Sequence, residues 1–425
     1  MKKRFLGLLF CAAIVSIAFT SCKDKESYFD TLLGDATELW PAELGVTDDG
    51  QTLYGYIDRS GKEVIKGKYT AASTFHEERA MVEVYDGSNY WCKYITKDGT
   101  EIGNFDQAEN FACGLALVAT RNSDGKLDYK FIDKDGNEVI KVGVVGHYRS
   151  EDDTHYLSKY LWVGEFSDGL ALFQDTTGYY GFMDTKGEVV IPAQYQDAWW
   201  FSEGKAAVTQ SGNGYYFIDK EGKIAVKTDR ILEYNNSCSG ILLHFMNDMC
   251  LVFDKSGFTF MDTKGKVLPY YYEDAFPFIG EKFTSAKLGA KWGLINKKGE
   301  TVLNAQYDEL YRFVEDRVMF GNKDEEGHMR CGIIDKDGKE ILPNKYGDID
   351  DCHNGLIHAK MWNADASKGW YYYFDKDGKE IWSNTIDYNS SSPAPARRGI
   401  ERDVKAEEGV KKAPYVKGFT LGGRK

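Results

Sequence analysis

The sequence predicts an all-β protein: a tandem array of about nine antiparallel β-hairpin repeats, each of roughly 35–40 residues, stacked as an open β-repeat array. Three observations predict it. The stretch "WGLINKKGETVLNAQYDELYRF", from Trp292, echoes "YGFMDTKGEVVIPAQYQDAWWF", from Tyr180. A shorter marker recurs throughout: an apolar residue, Asp or a relative, two spacers and Gly. It starts at Ile57, Ile95, Ile132, Met183, Ile218, Phe253, Met261, Ile295, Ile334 and Phe374. Finally, 44 Gly, 28 Tyr and 24 Phe against 8 Pro suit short aromatic strands joined by Gly turns. A closed β-propeller is the alternative fold, set second because nine three-stranded units give an awkward blade count and lean strands.

The first element, residues 1–21, reads as an export signal. Lys2, Lys3 and Arg4 form a positive start, and the apolar run from Phe5 to Phe19 is too short for a bilayer span. The "FTSC" that ends it resembles a bacterial lipoprotein signal, which implies lipidation at Cys22 and an outer-membrane address, at the cell surface or on the periplasmic face. Residues 22–35 are then a linker, and their charged start "KDKESYFD" resembles the export tag of Bacteroidetes lipoproteins.

The array occupies residues 36–386. Each copy has an aromatic-Gly strand, a turn, and a β-branched strand such as "EVVIP". An aromatic pair six residues apart follows, as in Tyr69 and Phe75 or Tyr195 and Phe201. In the turn, Asp bonds its own backbone and Gly takes the positive φ that closes a bulged hairpin. Gly293 lets another backbone or ring lie close. Phe253 and Met261 are too near to mark separate copies, and Met261 sets the register. The pattern resembles the WG-repeat family, on Trp292-Gly293, Tyr54-Gly55, Tyr180-Gly181 and Cys331-Gly332; Cys92-Lys93 departs from it. The resemblance implies a β-repeat protein that acts as a binding or scaffold module. Residues 387–425, rich in Ser, Pro, Lys and Arg, read as a flexible basic tail.

No motif for catalysis or metal stands out. The seven His are scattered without metal-ligand spacing, and the "DKDG" turns at Asp133 and Asp335 lack the later ligands of a calcium loop. Paired carboxylates such as Asp350 and Asp351 read equally as solvated edge charges. No cofactor and no metal are expected, and the chain is not expected to be an enzyme. The exception would be a site in the 147–162 insertion, with Asp152, Asp153 and His155. A net charge of −13 argues against a nucleic-acid partner.

Aromatics outside the repeat register are the candidate ligand-facing residues: Trp162, Trp199, Trp200, Tyr271 and Tyr372. Inter-repeat packing is their other reading. Cys92 with Cys113, and Cys331 with Cys352, share one spacing. They read either as disulfides or as buried small hydrophobes. The function expected is a cell-envelope lipoprotein whose array is a scaffold for envelope or external proteins, the membrane being reached through the N-terminal lipid. A glycan-binding surface lipoprotein is the alternative.

Overall fold

The computed structural model describes residues 38–145, 159–210, 214–228, 230–233, 243–279 and 282–388. Cys22, the leader, the linker, most of the 147–162 insertion with Asp152, Asp153 and His155, and nearly all of the tail lie outside these residues. Among the described residues there is no helix, and the strands form nine antiparallel sheets. In chain order the sheets, blades 1 to 9, span 39–69, 71–105, 107–144, 160–195, 197–226, 245–262, 283–307, 309–346 and 348–387. Six have four strands and three (blades 1, 6 and 7) have three, always in sequential order.

Local chemistry sets each blade. In the third hairpin of blade 3, Asp133 Oδ1 accepts the backbone N–H groups of Asp135 (3.0 Å) and Asn137 (2.8 Å), and Gly136 follows at φ +86°. Asn137 Nδ2 takes the second carboxylate oxygen at 3.0 Å, so the turn itself occupies Asp133. The last strand of a blade is its outer, wetter one: Val189–Tyr195 and Thr301–Tyr307 bury only their third and seventh residues.

The Trp-Gly pair marks a bulge. Trp292 pairs with Tyr307, yet Leu294 pairs with Leu303, so two steps on one strand oppose four on the other. The same offset follows Tyr54, Tyr180 and Cys331. A Cβ on Gly293 would lie 2.5 Å from the Leu303 carbonyl oxygen, and on Gly181 2.6 Å from that of Ile191. Where the Gly is missing the bulge shrinks. Two steps oppose three after Cys92 and Tyr129, and two oppose two after Tyr371.

The array is closed, not open: the nine sheets form a ring, a nine-bladed β-propeller. Each marker Gly shows it. Gly99 of blade 2 faces Ile65 of blade 1, Gly136 faces Ile102, Gly187 faces Ile140, and Gly222 faces Ile191. The series continues through Gly265, Gly299, Gly338 and Gly378, each against the blade before. It ends where Gly61 of blade 1 would place a Cβ 2.6 Å from Ile381 O of blade 9. Trp40 Nε1 donates to His353 O (3.0 Å), Tyr373 OH to Pro41 O (2.6 Å) and Asn384 Nδ2 to Glu43 O (2.8 Å) across the same junction. The expectation of three-stranded units holds for blades 1, 6 and 7 and fails for the other six, because a repeat straddles two blades. Tyr195 ends the outer strand of blade 4, whereas Phe201 lies beside the first strand of blade 5. That extra strand fills out the blades.

The core lies between blades. Rings from the strand next to the outer one of a blade meet the Phe of the next at 4.7–5.3 Å between centroids in Tyr56–Phe75, Tyr94–Phe111, Phe131–Phe166, Phe182–Phe201 and Phe217–Phe245, and Phe260–Phe278 meet likewise from blade 6. Such buried ring pairs add about 0.5–1.5 kcal/mol each beyond the area they bury. Carboxylates in the first turns bind the next blade's turn. Glu77 accepts the Gly114 amide (2.7 Å), Glu203 those of Asn247 (2.6 Å) and Asp248 (2.9 Å), and Glu315 those of Asn354 (2.6 Å) and Gly355 (2.8 Å).

Candidate binding surface

The structure separates the candidate aromatics. Trp199 and Trp200 are 0% and 4% exposed and belong to the largest core cluster, with Phe217, Phe245 and Met246. Trp162 packs edge-on against Trp200 at 5.8 Å. The reading of Trp199 and Trp200 as ligand-facing is therefore corrected. They sit just before Phe201, at the blade 4–5–6 junction, where large rings fill the space between sheets. Tyr372 is half-buried and packs against Phe374 (5.7 Å) and Tyr346 (5.9 Å).

Tyr271 does face outward. It is 36% exposed, its neighbour Tyr270 48% and Ile231 63%. The Arg230 guanidinium lies 5.6 Å from the Tyr271 ring and 3.0 Å from Asp254, which also accepts the Tyr271 hydroxyl at 3.2 Å. Tyr270 lies on the turn of blade 7, its ring 2.5 Å from where a Gly299 Cβ would stand. Blade 6 leaves these rings out because its segment 267–272 makes only isolated bridges, through Val267 and Tyr272, instead of a full outer strand.

The expected disulfides Cys92–Cys113 and Cys331–Cys352 are not formed. Cys92, Cys331 and Cys352 carry buried free thiols, and so does Cys250. Cys331 pairs in register with Tyr346 at the Trp position, and Cys352 packs with Ile333 at the Phe position. Both thiols lie in one core cluster at the blade 8–9 interface, with Ile333 and Tyr346, and no bridge joins them. Burial pushes the Cys92 thiol up to about 11. Cys113 is disulfide-bonded. It stands in the first turn where other blades carry Asp or Glu, and its Sγ accepts the Gly169 amide at 3.3 Å.

One constellation is not repeated, and the sequence reading missed it. At the junction of blades 9 and 1, His358 Nδ1 lies 2.9 Å from Asp350 Oδ2 and His358 Nε2 lies 3.0 Å from Glu43 Oε2. Lys360 Nζ is 2.9 Å from Asp350 Oδ2, and the Tyr373 ring stacks on His358 at 4.4 Å. Next to it Arg312 and Asp351 pair at 2.7 Å. Asp350 and Asp351 are thus enclosed in ion pairs and are not solvated edge charges. Burial opposes ionisation of Glu43, and His358 with Lys360 outweigh it, so its pKa is lowered. Burial likewise opposes the imidazolium, and Glu43 with Asp350 outweigh it, so the His358 pKa is raised. The only signal in the sequence was polar residues at positions that elsewhere hold apolar ones.

Metal-ligand geometry among the described residues is confined to Asp324, Glu326 and His328, on a turn of blade 8. Arg330 Nε already donates to Asp324 Oδ2 at 2.9 Å.

Two open clefts lie between blades. One, of about 760 Å³, is lined by Trp91, Lys93, Asn104, Asp106, Thr120 and Arg121, with Asp86 at its edge. The other, of about 380 Å³, is lined by Tyr179, Ala193, Gln194, Gln196 and Gln210.

No curated protein matches this chain. Similar solved structures include a eukaryotic initiation factor, at 11% identity over 79% of this chain and 93% of that one, with a TM-score of 0.48. BamB from Moraxella catarrhalis is similar at 12% identity over 76% and 96%, TM-score 0.35. Dipeptidyl peptidase 4 from Porphyromonas gingivalis is similar at 12% identity over 81% and 58%, TM-score 0.37. A family model, the WG containing repeat, matches residues 54–87, 180–216, 292–323 and 332–361. These matches begin in the four blades whose Trp-Gly glycine, or its Tyr-Gly or Cys-Gly equivalent, faces a two-residue bulge, and so the chain is a β-propeller that carries WG containing repeats in four places.

Proposed function

We infer that the chain is a lipid-anchored envelope scaffold that docks a protein partner on the rim of its propeller at blades 6 and 7. The observation that carries this reading is the exposed group Ile231, Tyr270 and Tyr271 with Arg230 across the Tyr271 ring. Tyrosine and arginine are the residue types enriched at binding hot spots. An aliphatic side chain beside them supplies apolar area that a partner would cover. Asp254 holds both Arg230 and Tyr271 in place, which lowers the entropy lost on docking. Lipidation at Cys22 would tether the ring to the outer membrane, and no catalytic step is assigned.

A photo-crosslinking residue placed at Tyr270 of the full-length chain in intact cells tests the docking face. A discrete protein adduct is expected at Tyr270, absent from the same probe at exposed Lys186 of blade 4 and reduced by Arg230→Ala. Equal labelling from both positions would remove this face from the account. Mass analysis of the N-terminal peptide checks the anchor, which an unmodified Cys22 would refute.

A further inference from the structure

The two inter-blade clefts occupy one repeat position. Trp91 and Tyr179 each come just before the residue at the Trp-Gly aromatic position, Cys92 and Tyr180, and those residues pair with Phe105 and Tyr195. Asn104 and Gln194 directly precede those partners, and Asp106 and Gln196 directly follow them. The backbone agrees: Asp106 N donates to Ala119 O at 2.9 Å and Gln196 N to Thr209 O at 3.0 Å, so Thr120 and Gln210 are also equivalent. Each cleft is therefore an aromatic ring beside three polar groups, set by the same strand pair, bulged by one residue in blade 2 and by two in blade 4, and by the same strand of the following blade.

These positions vary while the framework around them repeats. Lys291 and Arg330 replace the ring in blades 7 and 8, and each is tied to a carboxylate, Asp308 at 2.6 Å and Asp324 at 2.9 Å. Constant framework with changing cleft residues is the arrangement of a repeat protein whose grooves bind. In the blade 2 and blade 4 clefts a ring stands beside amides, Trp91 by Asn104 and Tyr179 by Gln194, Gln196 and Gln210.

We propose that these two clefts bind neutral carbohydrate chains, a pyranose ring stacking on Trp91 and on Tyr179. The C–H face of a sugar is apolar and matches an aromatic face, while its hydroxyls both donate and accept, as amides do. Tyr179 is 41% exposed, and Gln194, Gln196 and Gln210 all face solvent around it. In the larger cleft the indole is oriented, since Trp91 Nε1 donates to Asp86 Oδ2 at 2.7 Å. Its charges are already engaged: Arg121 pairs with Asp106 at 3.2 Å and Lys93 with Glu101 at 2.8 Å, while Asp86 accepts the Trp91 indole and the Ser88 and Asn89 amides. Such a lining disfavours a strongly charged ligand, which would have to break those pairs. The cleft volumes lie in the range of small-ligand sites, about 300–1,000 Å³.

Calorimetric titration of the detergent-solubilised full-length chain with neutral hexasaccharides tests this, using cellohexaose, maltohexaose, xylohexaose and mannohexaose as probes. Saturable binding to at least one is expected. Trp91→Ala with Tyr179→Ala should weaken it at least tenfold, Trp91→Phe with the Tyr179 ring kept should restore most of it, and Tyr270→Ala should leave it unchanged. Because Tyr270 belongs to the protein-docking face, the two readings fail separately. Absence of saturable binding to all four sugars overturns the proposal. So does binding that the double substitution leaves intact, or occupation of these clefts by peptide alone.

Discussion

Gly293 shows how one absent Cβ sets the shape of a strand pair. Its neighbours on the bulged strand are all backbone: Leu303 O at 2.5 Å, Ala305 N at 2.9 Å and Ala305 Cα at 3.1 Å from an added Cβ. Backbone cannot swing aside as a flexible side chain would, so Gly293→Ala should destabilise the chain by about 1–3 kcal/mol. The same repeat position in blade 3 is Lys130, where two steps oppose only three. Lys130→Ala removes an ion pair to Glu138, 3.7 Å long and partly exposed, and should change stability by no more than about 0.5 kcal/mol. Chemical denaturation of the two variants compares them directly. Equal losses would mean that the glycine is not what the bulge requires.

Among elements, the junction of blades 9 and 1 differs from the rest. Six junctions meet through ring pairs, five of them edge-on, whereas this one meets through Glu43, His358, Asp350 and Lys360, with Tyr54, Tyr373 and Asp348 around them. His358→Leu leaves two buried carboxylates facing one cation fewer, which should cost about 3–5 kcal/mol. The pH dependence follows from linkage. The pKa of His358 is raised, so its contribution is complete below the ordinary imidazole value of about 6.5 and is lost as pH rises through the raised value. Glu43 and Asp350 are lowered, against the opposing effect of burial. Their contribution is present above the ordinary carboxylate range of about 4 and is lost as pH falls through the lowered values. The junction is therefore most stable between these limits. Melting temperatures from pH 6 to pH 10 should decline on the alkaline side in the parent and less steeply in His358→Leu. Parallel declines would assign the alkaline loss to another group.

For the whole molecule, closure means that the array has no free end among its blades. An open stack frays from its terminal repeats, because each of these has one neighbour instead of two. Here the strand Leu39–Val46 and the strand Glu380–Asp387 lie against each other across the closing junction, where Asn384 bonds Glu43 O. Hydrogen exchange should therefore protect amides of these two strands as strongly as those of Val189–Tyr195 in mid-ring. Exchange that begins at both ends and progresses inward would favour an open array in solution.

Much of a single blade was legible in the sequence, because its causes are local. The Asp of "DKDG" binds amides two and four residues on, and Gly136 turns where the marker puts it. The choice of Met261 as the sixth register is matched by the Gly265 turn, while Phe253 belongs to the preceding hairpin. The close approach expected at Gly293 is present. What the sequence by itself determined, then, is the repeat, the turn and the bulge, each governed by residues a few positions apart or paired across one hairpin. Only the tertiary structure decided the closed ring, the burial of Trp199 and Trp200, the missing Cys331–Cys352 bridge and the charged junction at His358. Those outcomes rest on which faces meet between sheets, and for Trp40 and His353 the meeting partners are 313 residues apart. Hydrophobic contact has no direction of its own, so a pattern of rings says that they will be covered, and the shape of the closed ring says by what.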